Sequence, residues 1–165
     1  MYSKRSYGNG NNPIYPVLSG SVDLQGGDDY YIVNSSFVYA PGVPIFHSRD
    51  LAHWEQIGNI LNRKEQLPVE GSEISRGIFA PTIRYHEGLF YMITTNVSYG
   101  GNFIVTAKKP EGPWSDPYYL GEEAAGIDPS LFLMRMENAI TAEQDQTRKV
   151  CDIMGTGKSG YRNLI

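Results

Sequence analysis

Between Gly77 and Ala107 the apolar and polar positions fall into a strand and turn order that can be read without interruption. Pro81-Thr82-Ile83-Arg84-Tyr85 alternates toward a turn at His86-Glu87-Gly88. Leu89 to Thr95 forms a second β-rich run, in which Phe90, Met92 and Thr94 face opposite to Tyr91, Ile93 and Thr95. Gly88 supplies the positive φ that a tight hairpin needs. A loop at Gly100 and Gly101 leads to a third strand, Asn102 to Ala107, and the run from Lys108 to Pro113 turns the chain toward Trp114. The pattern predicts three antiparallel strands with a fourth to follow, the layout of one β-propeller blade.

The same order recurs on both sides. Upstream, Asp28 to Ser36 parallels Gly88 to Thr95, and Ile45 to Ser48 with Trp54 parallels Phe103 to Thr106 with Trp114. The repeat is roughly 50 to 60 residues long, the range of four-stranded blades. Downstream, Gly126-Ile127-Asp128-Pro129-Ser130-Leu131-Phe132 repeats the opening Gly77-Ile78-Phe79-Ala80-Pro81-Thr82-Ile83, so a third blade begins there. In Ser48 to Trp54 a short turn is expected to present Leu51 and Trp54 to the core, with His47 and His53 structural. Asn62 to Arg76 reads as a polar connection with no chemistry of its own.

Composition adds limits. With 165 residues, 41% of them hydrophobic, and 12 Tyr and 6 Phe, the chain suits an aromatic-rich all-β fold. A single Cys leaves no internal disulfide framework. The net charge of -4, with no Lys/Arg stripe among the aromatics, argues against a nucleic-acid partner. No run of about 18 apolar residues exists to span a membrane, and the polar opening residues lack the apolar centre of a signal peptide, so the expected compartment is the cytoplasm.

The run YYIVNSSFVYAPGVPIFHSRDLAHWEQIGNIL, followed in order by GIFAPTIRYHEGLFYMITTN, GNFIVTAKKPEGPWSDP and GIDPSLF, resembles glycoside hydrolase family 43, in its β-xylosidase and α-L-arabinofuranosidase branch. The resemblance covers about Asp28 to Phe132. It implies an all-β fold, a partial five-bladed β-propeller of about two blades plus the start of a third, with a sugar pocket on the axis. It also implies hydrolysis of xylan- or arabinan-derived oligosaccharides with inversion. No cofactor is expected, no metal ligand stands out, and an axial metal and the oligomeric state stay open.

Inverting hydrolysis needs one carboxylate to activate water and one protonated carboxyl to protonate the leaving oxygen. A third carboxylate nearby raises the acid's pKa, because like charges disfavour ionisation. The resemblance assigns that third role to Asp128; the bland alternative is a cap on the turn before Pro129. Phe37 matches the aromatic wall of the sugar subsite, and Phe79 stands where the family usually has Trp; either can instead be a packed blade residue. The base falls at Gly20, which accepts no proton. Asp23 is three residues along, which moves it ~10 Å and reverses its facing. The acid Glu is expected beyond Ile165.

The genetic code offers one account of these departures. Three single-base losses in a gene encoding NPILSGFYPDPSICRAGDD yield NPIYPVLSGSVDLQGGDD, which is Asn12 to Asp29 as they stand. One base lost from a gene encoding FFDEDGKCYYCGTRPN yields FLMRMENAITAEQDQT, Phe132 to Thr147. The expected organisation is thus a disordered segment at residues 1–11, propeller blades at 12–132 and a frameshifted, non-native tail at 133–165. The tail's MGTGKSG is no phosphate loop, since Asp152 occupies the first Gly position of G-x-x-x-x-G-K-[ST]. Two functions follow: a glycosidase fragment that is itself inactive, or a non-catalytic propeller module that binds carbohydrate or protein.

Overall fold

The computed structural model describes residues 29–133, 139–142 and 149–151, and the fold within them is all-β. Three antiparallel sheets succeed one another along the chain. The first contains β1 (Tyr30–Val33), β2 (Gly42–Ser48) and β3 (Glu55–Leu61) in that order. The second orders β4 (Thr82–His86), β5 (Leu89–Asn96), β6 (Gly101–Ala107) and β7 (Tyr118–Tyr119) as β4-β5-β6-β7. The third orders β8 (Ser130–Leu133), β9 (Ala139–Ala142) and β10 (Lys149–Cys151) as β10-β9-β8. Strands β9 and β10 fall in the stretch read as out of frame, where β9 pairs antiparallel with β8 and β10 with β9.

Local chemistry accounts for the second sheet. Glu87 and Gly88 both carry positive φ, 48° and 83°, between the paired residues His86 and Leu89, so the hairpin is the two-residue kind whose twist matches its strands. Gly100 and Gly101 (φ 70° and 74°) turn β5 into β6. The expected fourth strand is Tyr118–Tyr119, with Phe103 opposite Tyr119 and Ile104 opposite Tyr118. The repeat is also visible in the pairing, since β1 and β2 occupy the places of β5 and β6. Each tryptophan indole donates to a carbonyl just upstream, Trp54 to Leu51 and Trp114 to Pro110, both at 3.2 Å.

Strand β5 is buried on both faces, which explains its nearly unbroken apolar sequence. Phe90 and Met92 join Val33, Ile45 and Leu61 in a core shared with the first sheet. Tyr91 and Ile93 point the other way, with Ile104 and Leu131, toward the third sheet. An antiparallel strand with one wet face would alternate apolar and polar residues; β5 lies between two other sheets and is apolar without a break from Leu89 to Ile93. Each large aliphatic side chain fully buried in this way contributes about 1.5–3 kcal/mol.

The turn at Ser48 to Trp54 differs from expectation. Leu51 is 53% exposed rather than in the core, and Trp54 is only half-buried. Polar acceptors close this turn. The Ser48 hydroxyl accepts from the Leu51 amide at 2.9 Å, and Asp50 Oδ1 accepts from the amides of Ala52 and His53 at 2.9 and 2.8 Å. With the backbone already satisfied and Leu51 at φ 61°, the leucine is turned outward. His53 bonds Asp50 at 2.7 Å, and His47 bonds Asp29 at 2.7 Å.

The connection at residues 62–76 holds more than its polarity suggested. Gln66 is fully buried at the end of a single 3-10 turn, Lys64–Gln66. Its Oε1 accepts from the amides of Asn62 and Arg63, both at 3.1 Å. Its Nε2 donates to the carbonyls of Trp114 and Ser115 at 3.2 and 2.8 Å. Arg63 adds a 2.6 Å ion pair to Asp116. One amide therefore ties the segment after β3 to the loop between β6 and β7.

Candidate functional site

Phe37 follows β1 and Phe79 precedes β4, so both stand at one end of the sheets. A short backbone bridge brings them together: Phe37 and Ile78 exchange amide-to-carbonyl bonds, both 3.0 Å. Gly77 makes this approach possible. Its φ is 88°, and a Cβ there would lie 2.4 Å from the Phe37 carbonyl oxygen. Phe79 is then fixed from β5, its amide donating to the Thr95 carbonyl at 2.9 Å and its carbonyl accepting from the buried Thr94 hydroxyl at 2.8 Å.

The two rings meet edge to face, centroids 6.0 Å apart at 71°. Such geometry sets the positive rim of one ring against the negative face of the other. Phe37 keeps 40% of its surface exposed, and Phe79 is half-buried. Phe37 has positive φ, 49°, uncommon for a residue with a side chain, which sets its ring outward from the bridge.

Asp128 lies immediately before β8, as Ala80 and Pro81 lie immediately before β4. The two strand openings are adjacent, because the Thr82 hydroxyl donates to the Pro129 carbonyl at 3.1 Å. Asp128 is exposed, with φ 57°. The structure thus brings Phe37 into ring contact with Phe79 and anchors the segment of Asp128 three residues from Phe79. Gly20 and Asp23 lie outside the described residues, as do the expected disordered segment and the MGTGKSG run. Among the described residues no cluster of three or more His, Cys, Asp or Glu could hold a metal ion, and no helix is long and apolar enough to cross a membrane.

Several polar groups behind this end of the sheets went unread in the sequence. Thr94, Thr95, Asn96 and Asn102 are all buried. Asn96 Nδ2 donates to the Pro68 carbonyl at 3.2 Å, and the Ser98 hydroxyl accepts from the Gly77 amide at 3.2 Å. The signal available was the polar TTN closing an otherwise apolar strand. At the opposite end, Asp29 pairs with His47 and Arg49. The His47 hydrogen bond, aided by the Arg49 charge, holds its carboxyl below the usual carboxylate range.

An edge-to-face aromatic pair with the Phe37 ring exposed, and an aspartate two residues before the first strand of the next sheet, together form the candidate site of this all-β domain. The model of glycosyl hydrolases family 43 matches residues 11–147, and the chain belongs to that family. A "Xylosidase/arabinosidase" of Butyrivibrio fibrisolvens is 72% identical over 124 residues, 74% of this chain and 24% of the relative. A "Non-reducing end alpha-L-arabinofuranosidase" of Bacteroides ovatus is 51% identical over 127 residues, 73% of this chain and 23% of the relative. Among solved structures, a xylan beta-1,4-xylosidase from Bacillus halodurans matches with a TM-score of 0.68 at 43% identity, covering 79% of this chain and 26% of that one. The chain thus spans about a quarter of the length of the relatives it matches.

Proposed function

We propose that residues 29–133 form early blades of a five-bladed β-propeller and contribute one wall of the active site of an inverting pentosidase. Such an enzyme removes terminal xylose or arabinose from xylan- or arabinan-derived oligosaccharides. The observation that carries this reading is the edge-to-face pair of Phe37 and Phe79, open to solvent on the Phe37 side, at the end of the sheets where Asp128 opens β8. Apolar ring faces suit the C–H faces of a pentose. In this reading Asp128 keeps a nearby acid protonated, the acid comes from another part of the protein, and the water-activating base belongs at the position where Gly20 stands. Within these 165 residues Asp128 is the one carboxylate that matches the family's set of three, and Gly20 takes the place of the base. The chain by itself is accordingly inactive.

The test is a hybrid in which residues 29–131 replace their counterparts in the Butyrivibrio fibrisolvens relative. Cleavage of an aryl xyloside or arabinofuranoside with inversion is expected. Asp128→Asn removes the charge that holds the acid protonated, lowers the acid's pKa, and moves the basic limb of the pH profile to lower pH. Phe37→Ala raises KM more than it lowers kcat. Retained configuration in the first-formed sugar refutes the mechanism. Gly20 at the base position favours a second reading, a non-catalytic binding module. Saturable binding of a xylo-oligosaccharide by the 165-residue chain, together with an inactive hybrid, supports that one instead.

A further inference from the structure

Asp128 holds a left-handed backbone conformation, φ 57°, although it is not glycine. Such a conformation persists only where the surroundings impose it. Two anchors flank it. Four residues upstream, Asn102 Nδ2 donates to the Ala124 carbonyl at 2.7 Å. One residue downstream, Thr82 Oγ1 donates to the Pro129 carbonyl at 3.1 Å. Asn102 is 1% exposed, and its Oδ1 accepts from the hydroxyl of Thr95, itself 2% exposed, so the amide is fixed in orientation. The Asn102 carbonyl also accepts from the Leu120 amide at 2.9 Å, which starts the same segment. Beyond Pro129 the buried Leu131 locks β8 against Tyr91, Ile93 and Ile104.

The pieces share one geometric origin. Neighbouring residues on a strand point to opposite faces. On β5, Thr94 therefore reaches one way to the Phe79 carbonyl, while Thr95 reaches the other way to Asn102 and, through it, to the segment of Asp128. We infer that Asn102 and Thr82 are positioning residues for Asp128, setting its carboxylate in place from both sides, with Thr95 orienting the amide of Asn102. This rests on the reading of Asp128 as the carboxylate that tunes the acid, and the experiment separates the two.

Thr82→Val keeps the shape and removes the donor, Thr82→Ser restores the donor, and Asn102→Ala removes the upstream anchor. Hydrogen exchange is measured on the 165-residue chain and pH profiles on the hybrid. In Thr82→Val and Asn102→Ala, exchange across residues 120–129 should rise about tenfold while the amides of β5 and β6 hold, since the opening is local. The basic limb should move to lower pH, as it does in Asp128→Asn. Thr82→Ser should leave both unchanged. Where Asn102→Ala fails to fold, Thr82→Val carries the test. An unmoved limb in Thr82→Val beside a moved limb in Asp128→Asn overturns the positioning role and leaves the reading of Asp128 standing. An unmoved limb in Asp128→Asn sinks that reading; exchange across 120–129 then decides the anchors alone, and no rise overturns them.

Discussion

Gly77→Ala is the substitution that most directly tests how the aromatic pair is built. Two costs arise at this site. A side chain at φ 88° is strained, by roughly 1–2 kcal/mol for a left-handed residue. The new Cβ would also sit 2.4 Å from the Phe37 oxygen and 2.7 Å from its carbonyl carbon, backbone atoms that have no rotamer to change. Relief requires the Phe37–Ile78 bridge to open, with loss of two hydrogen bonds worth ~1 kcal/mol each, for a total of about 3–4 kcal/mol. Gly88→Ala is the internal control, because its φ is 83° but no atom lies within 4 Å of an added Cβ. It should show only the backbone strain, roughly 1–2 kcal/mol. Urea unfolding followed by tryptophan fluorescence, with the buried Trp114 as reporter, measures both. Equal costs for the two variants, within about 0.5 kcal/mol, would refute the close-approach argument.

Three further outcomes follow from groups away from the aromatic pair. Gln66→Leu should lower stability by about 2–4 kcal/mol, because it strands two carbonyls and two amides that the buried amide now satisfies; a loss under ~0.5 kcal/mol in urea unfolding counts against that role. Tyr119 has a buried hydroxyl with no partner among the described residues, and burial pushes its pKa up to about 12. Stability is therefore unaffected by its titration below the unfolded pKa near 10 and falls as pH rises from there toward about 12, so Tyr119→Phe should be neutral or stabilising at neutral pH and flatten this alkaline loss. Asp29 has a lowered pKa, chiefly through the His47 hydrogen bond, so its contribution is present above the unfolded carboxylate range and lost as pH falls through the folded value. Asp29→Asn should reduce that acid limb in pH-dependent melts, and an unchanged limb contradicts the pairing.

The second sheet was legible because its information is local. Alternation in Thr82–His86, a turn glycine at Gly88 and an apolar run in Leu89–Asn96 each depend on a few adjacent residues. Leu51 was misplaced because apolar character was weighed above the turn chemistry of Ser48 and Asp50, which satisfies the backbone and leaves the leucine outside. Gln66 gave no sign at all. A polar residue in a polar connection looks solvated, and its burial depends on carbonyls roughly fifty positions away. Of the candidate site, Phe37, Phe79 and Asp128 are each named singly by the family motifs. Their juxtaposition is not, since it rests on Gly77 admitting a backbone contact and on Thr82 meeting Pro129.

The Gln66 amide also bears on where this molecule can be divided. Sequence repetition invites a seam anywhere in the connection at residues 62–76, as though each sheet were a separable cassette. Yet Gln66 takes its donors from Asn62 and Arg63 and gives its protons to Trp114 and Ser115, so all four partners belong on its side of any cut. A recombination point inside the connection parts these groups, whereas one between Leu61 and Asn62 keeps them together and crosses the Phe37–Ile78 bridge and the apolar packing around Leu61 and Leu67. Shuffling or splitting of this architecture should thus transfer the linker as the leading edge of the sheet that follows it.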